Sequence, residues 1–311
     1  MNDFRLPLGS YVETFVEFIT ETFGFIFDFI RALFAGAYDG VQYLLGEPPF
    51  WAIMIVLGVL ALGIRGWKFA VGSVVGLVII LGVDQWDYAM DTLALVLVAS
   101  VLAIALSVPL GILAAKSTLA SNIIRPILDF MQTMPAFVYL IPALLLFRVG
   151  VVPGIVATII FAMAPGVRLT ELGIRSVDRE VVEAGQAFGA SPWRILRQIQ
   201  LPLATPTIMA GINQVIMLSL SMVVISGLVG AGGLGAQVIA SLNRIDIALG
   251  FEAGLAVVIL AIFLDRITAS LGSTTSTGFF GSFRRVLRAR RVTDVAASAP
   301  STASAPQPAR V

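Results

Sequence analysis

Two stretches of this chain have the residue types and spacing of phosphate-binding chemistry. GLVGAGGLG, residues 227–235, contains a formal G-x-G-x-x-G match at Gly230, Gly232 and Gly235. A dinucleotide site needs a strand before that pattern and a helix after it, so that backbone amides meet the pyrophosphate. Here the preceding run, IMAGINQVIMLSLSMVVIS, is long enough to be a spanning helix. The glycines therefore predict a helix end and a close approach of backbones. GILAAKS, residues 111–117, echoes a P-loop, but Ala115 stands where that loop requires Gly before its Lys. With no Cys and no His, disulfides, thiolate or imidazole metal sites and Ser-His-Asp relays are excluded. No enzymatic constellation, metal or resident cofactor is expected. If the chain uses ATP, a partner subunit must bind and hydrolyse it.

Carboxylates are few and stand mostly near the ends of apolar runs: Asp84, Asp87, Asp91, Asp129, Glu252 and Asp265. Asp129 lies four residues after Arg125, a helical ion-pair spacing. The lack of a clear mid-membrane carboxylate argues against a proton- or sodium-coupled carrier. Polar residues that could line a solute path are Gln132 and Tyr139, in a run interrupted by Pro135 and Pro142, and Asn213 and Ser221 further along. Such residues also serve as hydrogen-bonding partners between helices, and the sequence leaves both roles open.

The elements that must position these groups follow from composition. Of the 311 residues, 58% are apolar and 13% charged, against about 45–50% and ~25% in soluble domains. The chain reads as an all-α polytopic membrane protein. A spanning helix takes about 20 mainly apolar residues, and seven segments qualify: 49–66, 69–83, 89–115, 126–147, 151–167, 203–229 and 247–266. Placing the first from outside to inside puts sixteen of the 20 Lys and Arg residues on the cytoplasmic side. That bias predicts an outer N-terminus and a cytoplasmic C-terminus. The first residues, MNDFRLPLGS, lack the parts of a signal peptide. Within 11–35, Glu13, Glu17, Glu21, Asp28 and Arg31 fall in an arc of about 80° at helical spacing. An amphipathic helix lying on the membrane is expected there, a hidden span being the alternative. The expected organisation is an N-terminal segment over 1–48, a transmembrane domain over 49–268 and a disordered basic tail over 269–311. The tail's arginines suit either anionic lipid or a positive-inside stop.

One segment between apolar runs is charged. EAGQAFGASPWRILRQIQLP, residues 183–202, falls in the largest cytoplasmic loop. Val181, Val182, Ala184, Gly185 and Phe188 predict a short helix with a small apolar docking face. Arg179 and Glu183 sit at i and i+4, Gly189 can end the helix, and Ser191-Pro192 can begin the next.

The spacing of Glu183-Ala184-Gly185, three residues, Gly189, nine residues, Ile199, one residue, Leu201-Pro202 resembles the EAA loop of ABC-importer permeases. Gly185 in place of Ala is the one departure, and costs about 1 kcal/mol of helix propensity. LDFMQTMPAFVYLIP (128–142), RLTELGIRSV (168–177), 201–235 and AIFLDRIT (261–268) are similar to glycine betaine/proline betaine permeases of compatible-solute uptake systems, with choline and carnitine permeases close behind. The resemblance implies a type I ABC-importer permease fold, paired permease subunits, a cytoplasmic ATPase and an extracytoplasmic solute-binding protein. It makes 178–202 the ATPase-coupling loop, with Glu183, Ala184, Gly185, Gly189, Pro192, Leu201 and Pro202 as its functional residues.

Overall fold

The computed structural model describes residues 8–272, and all regular structure among them is helical. Of the disordered tail expected over 269–311, residues 269–272 instead continue the last helix and the rest lies outside the described residues. In chain order the helices are α1 (Leu8–Gly46), α2 (Phe50–Arg65), α3 (Trp67–Gly82), α4 (Trp86–Lys116), α5 (Thr118–Thr133), α6 (Ala136–Phe147) and α7 (Val151–Arg175). Then come α8 (Arg179–Ala187), α9 (Pro192–Ile195), a π-helical turn (Leu196–Gln200), α10 (Leu201–Ser221), α11 (Val223–Gly227), α12 (Gly233–Arg244) and α13 (Ile247–Gly272).

Each of the seven expected spans is helical, but they are not alike. By length and composition α4, α7, the run Pro192–Gly227 and α13 can each cross a membrane unaided. Helices α2 and α3, 16 residues each, rise only about 24 Å and form a hairpin through Gly66. The expected span 126–147 is two helices, α5 and α6, bent by 100°. The break falls where Pro135 opens α6, because the ring removes an N–H and disfavours helical geometry at the residue before it. Pro142 is accommodated inside α6 without ending it. Helix α5 is the more amphipathic of the pair, while α6 is almost wholly apolar.

Helix α1 runs at 99° to α2. Within α1 the backbone leaves helical geometry at Phe23. Phe34, Tyr38 and Val41 pack on the core beside α4, Leu45 reaches the neighbouring cluster, and Phe27 meets Phe147 edge-on at 5.7 Å. Phe15, Phe18, Phe25 and Phe29 are exposed.

The core is built around α7, which packs against both α4 and α10. Small residues let the helices close in. A Cβ on Gly111 of α4 would lie 2.7 Å from the Val167 carbonyl oxygen, and one on Gly166 of α7 would lie 2.5 Å from Ser107 Oγ. At the opposite end from α8, residues 227–235 join α11 to α12. Here the preceding element is a helix, not a strand, and the glycines serve packing: a Cβ on Gly235 would sit 2.1 Å from the Val223 carbonyl oxygen. Thr92 Oγ1 accepts a hydrogen bond from Leu234 N at 2.8 Å, and Gly150 N donates to Val229 O at 2.9 Å. The seam is thus tied to α4 and to the start of α7.

Gly235→Ala should lower stability by about 1–3 kcal/mol, the usual cost of overpacking. Gly254→Ala, on α13 with nothing within 4 Å of its added carbon, should leave stability unchanged or slightly raised. Thermal unfolding of the two purified variants in detergent checks the contrast.

Candidate functional site

The end of the molecule that carries α8 is built from short capped pieces. Asp178 caps α8, its side chain accepting from Glu180 N at 3.0 Å. The helix stops at Gly189, whose φ is +73°. Gly189 N donates to Gln186 O at 2.8 Å and Ala190 N to Gly185 O at 3.1 Å, the paired bonds of a glycine-terminated helix. Ser191 Oγ accepts from Arg194 N at 3.4 Å, and Pro192 fills the first turn of α9. These are the stop and start read from the sequence.

The second half of the loop departs from expectation. In place of a second short helix, α9 passes through the π turn directly into α10, giving one continuous run from Pro192 to Gly227. The π turn ends at Gln200, and Leu201 N donates back to Leu196 O. Pro202, which has no N–H for the carbonyl four residues earlier, follows at once. Leu201 and Pro202 therefore belong to the membrane helix itself.

Helix α8 seats on this run through Gly185. A Cβ there would lie 2.7 Å from Ile199 Cδ1 and 3.6 Å from Ile195 Cγ1. Gly185 thus packs inward rather than contributing to an outward docking face. The outward face is Val181, Ala184 and Phe188, with Phe188 92% exposed. Trp193 and Pro192 are exposed beside it, whereas Ile195 and Leu196 are buried. Glu183 is exposed and lines a 330 Å³ cleft between α8 and the ends of α4 and α7, with Lys116, Arg175 and Arg179. Lys116 Nζ spans its edge, donating to Gln200 Oε1 at 2.7 Å. Arg179 and Glu183 form no salt bridge with each other, although the spacing permits one.

The pair expected between Arg125 and Asp129 is also replaced. Arg125 binds Glu171 of α7 at 2.9 Å, and Asp129 binds Arg168 of α7. Both residues sit on α5, and α7 offers each a partner of opposite charge across the interface. Glu171 is 2% exposed and was not picked out from the sequence; its one signal there is the i,i+4 spacing to Arg175.

The candidate path residues fall into two groups. Gln132, half-buried, and Tyr139, buried, flank the α5–α6 break, and the Tyr139 hydroxyl has no hydrogen-bond partner. Asn213 and Ser221 lie on the α13 side of α10. Asn213 Nδ2 donates to Asp265 Oδ1 at 3.3 Å, and its Oδ1 accepts from Thr268 Oγ1. Ser221 Oγ donates to Met217 O at 3.1 Å and borders a 200 Å³ cleft that also holds Asp265. The four are not gathered around one cavity of this chain.

The chain is thus a helical core packed for a membrane with a capped knob fused to one of its helices. The model described as "Binding-protein-dependent transport system inner membrane component" matches residues 107–276. The chain belongs to that family, a multi-pass inner-membrane subunit of ABC importers that works with a separate ATPase and a substrate-binding protein. It is 48% identical over 267 residues to the glycine betaine/carnitine transport permease protein GbuB of Listeria monocytogenes, covering 85% of this chain and 94% of that one. It is 46% identical to the glycine betaine transport system permease protein OpuAB of Bacillus subtilis, covering 86% and 95%. Against the glycine betaine/proline betaine transport system permease protein ProW of Escherichia coli it is 46% identical, covering 86% and 75%. The fold is that of type I importer permeases: an inward-facing structure of the MetNI methionine ABC transporter superposes with a TM-score of 0.56 at 20% identity, covering 60% of this chain and 94% of that one.

Gly185→Ala should be neutral or stabilise by up to about 1 kcal/mol, because Ile199 Cδ1 is the free end of a flexible side chain. Gly189→Ala should destabilise by about 1–2 kcal/mol through its left-handed backbone. Thermal unfolding of the two purified variants in detergent checks both.

Proposed function

We propose that this chain is the permease subunit of an ATP-driven importer of glycine betaine and proline betaine-type solutes, and that residues 178–202 couple it to the ATPase. One observation carries the coupling: a capped helix with exposed Val181, Ala184 and Phe188 sits on a run of chain continuous with a spanning helix. Pressure on α8 then reaches α10 without crossing a flexible joint. The substrate class rests on relatives at 46–48% identity whose names all include glycine betaine.

In this reading Glu183 and Ala184 meet the ATPase, Gly185 seats the helix, Gly189 and Pro192 shape the turn, and Leu201-Pro202 pass the movement on. ATP is bound by the partner, and its closure turns the membrane helices outward to receive solute from the binding protein. Two copies of the permease surround the path. Gln132 and Tyr139, beside the helix break, and Asn213 and Ser221, on α10, line that path and hold the solute weakly. The buried, unpartnered hydroxyl of Tyr139 supports a polar role at the break. The distribution of Lys and Arg supports an outer N-terminus and a cytoplasmic C-terminus.

Carnitine is the alternative substrate, favoured by its place in the GbuB name. An ion-coupled carrier is disfavoured because Glu171 and Asp129 are taken up in ion pairs that fasten α5 to α7.

Labelled glycine betaine uptake, measured in cells lacking other uptake systems, should depend on this gene and on ATP. Gene-dependent uptake of labelled carnitine, with none of labelled glycine betaine, would move the assignment to the alternative. Glu183→Arg should reduce recovery of the ATPase with the tagged permease by about tenfold, a like-charge cost of ~1.4 kcal/mol. Undiminished recovery with undiminished uptake would remove Glu183 from the contact.

A further inference from the structure

Helix α5 leads into the break at Pro135, yet it is poorly held by apolar packing. Only Ser121 and Leu128 of its 16 residues are buried. Leu119, Ile123, Ile127 and Phe130 form an exposed stripe along it. Its attachment to α7 is instead polar and doubled. Arg125 straddles the Glu171 carboxylate, with NH2 2.9 Å from Oε1 and Nε 3.2 Å from Oε2, and Ser121 Oγ donates to Oε1 at 2.8 Å. One turn nearer the break, Asp129 pairs with Arg168.

The same carboxylate reaches back towards α8. Arg175 Nε lies 3.0 Å from Glu171 Oε1, and Arg175 NH2 donates to Ala114 O of α4 at 2.8 Å. Arg175 is the last residue of α7, and three residues separate it from the first of α8. Glu171 therefore joins the ends of α4, α5 and α7 one short linker from the coupling helix.

We propose that Glu171 is a positioning residue that passes displacement of α8 to α5, and through the bend at Pro135 to α6 and Tyr139. This rests on the coupling role proposed for α8. It adds a second route beside that from Gly185 and Ile199 into α10. A nearly buried carboxylate with donors from three directions is suited to the task, since it gives up any of them only at a cost. Arg125 is the exchangeable arm, with its side chain 57% exposed. Losing it loosens α5, leaving Ser121 of the same helix and Arg175 of α7 on Glu171.

The test uses the full complex of permease, ATPase and binding protein in liposomes. Glu171→Gln and Arg125→Ala should each lower solute uptake per ATP hydrolysed by about tenfold, within the range for residues that carry coupling, while ATPase recovery and hydrolysis persist. Because the chain has no Cys, Phe130→Cys provides a single label on the exposed face of α5. Its reaction with a membrane-impermeant maleimide should differ between nucleotide-free and vanadate-trapped complexes, and that difference should shrink with Arg125→Ala. If Glu171→Gln does not assemble, Arg125→Ala alone decides, since it leaves the buried carboxylate in place. Unchanged uptake per ATP in Arg125→Ala, or a maleimide difference undiminished by it, overturns the proposal. If the wild-type complex moves no glycine betaine but Arg125 still governs the nucleotide-dependent labelling, the tie stands and the substrate reading falls.

Discussion

Apolar surface gains little by leaving lipid for another apolar surface, so helices in a membrane associate where their backbones can come close. In this permease that constraint is met on α7. Gly166 admits Ser107 of α4 from one side and Val215 of α10 from the other, and Gly111 admits the α7 backbone at Val167. Three helices thereby become one body, and the remaining elements are placed by where they attach to it. The α11–α12 seam closes the end away from α8 by the same means, backbone against backbone at Gly227 and Gly235. Neither contact has slack: a single carbon would have to occupy space already filled.

The end with α8 is assembled on a different principle. Of the four ion pairs among the described residues, Arg125–Glu171 and Arg175–Glu171 lie near this end of α7, Arg168–Asp129 lies a turn nearer the break that ends α5, and Arg266–Asp265 joins neighbours on α13. Helix α8 itself is held by one small contact surface on α9 and the π turn, with an open cleft behind it. Its fusion to α10 gives the loop a stiff arm, with the π turn as the local irregularity in an otherwise continuous helix. Single π turns inside α-helices are found frequently at functional sites.

Much of this was legible in the sequence, for reasons that are local. Apolar run length located every span, and Gly189, Ser191 and Pro192 marked the turn because their backbone preferences act at the residue itself. The glycines of 227–235 were separable from a nucleotide loop because the element before them had helical length. What the sequence could not disclose depends on neighbours. Arg125 and Asp129 have the spacing to pair with each other, and only the position of α7 decides that each turns to it. Gly185 reads as part of an outward face until Ile199 is seen beneath it. Pro135 and Pro142 are alike in the sequence, but only the first starts a helix, and the 100° bend at that point follows from packing on either side. Glu171 carries no sign of burial in its neighbours along the chain.

The difference between the two ends indicates where this molecule can move. Exposed ion pairs contribute only about 0–1 kcal/mol each and trade readily with water or with other charges. The Arg168–Asp129 pair, with side chains 42% and 64% exposed, is of that kind. A backbone seam such as Gly235 on Val223 has no comparable exchange partner, since parting it leaves empty space in place of contact. Rearrangement is therefore cheapest beside α8, where charge meets water, and costliest at the far end. A permease driven from its α8 end would pivot about the glycine seam, and the helix break at Pro135, between the two ends, is where such a pivot would be felt as a change of shape.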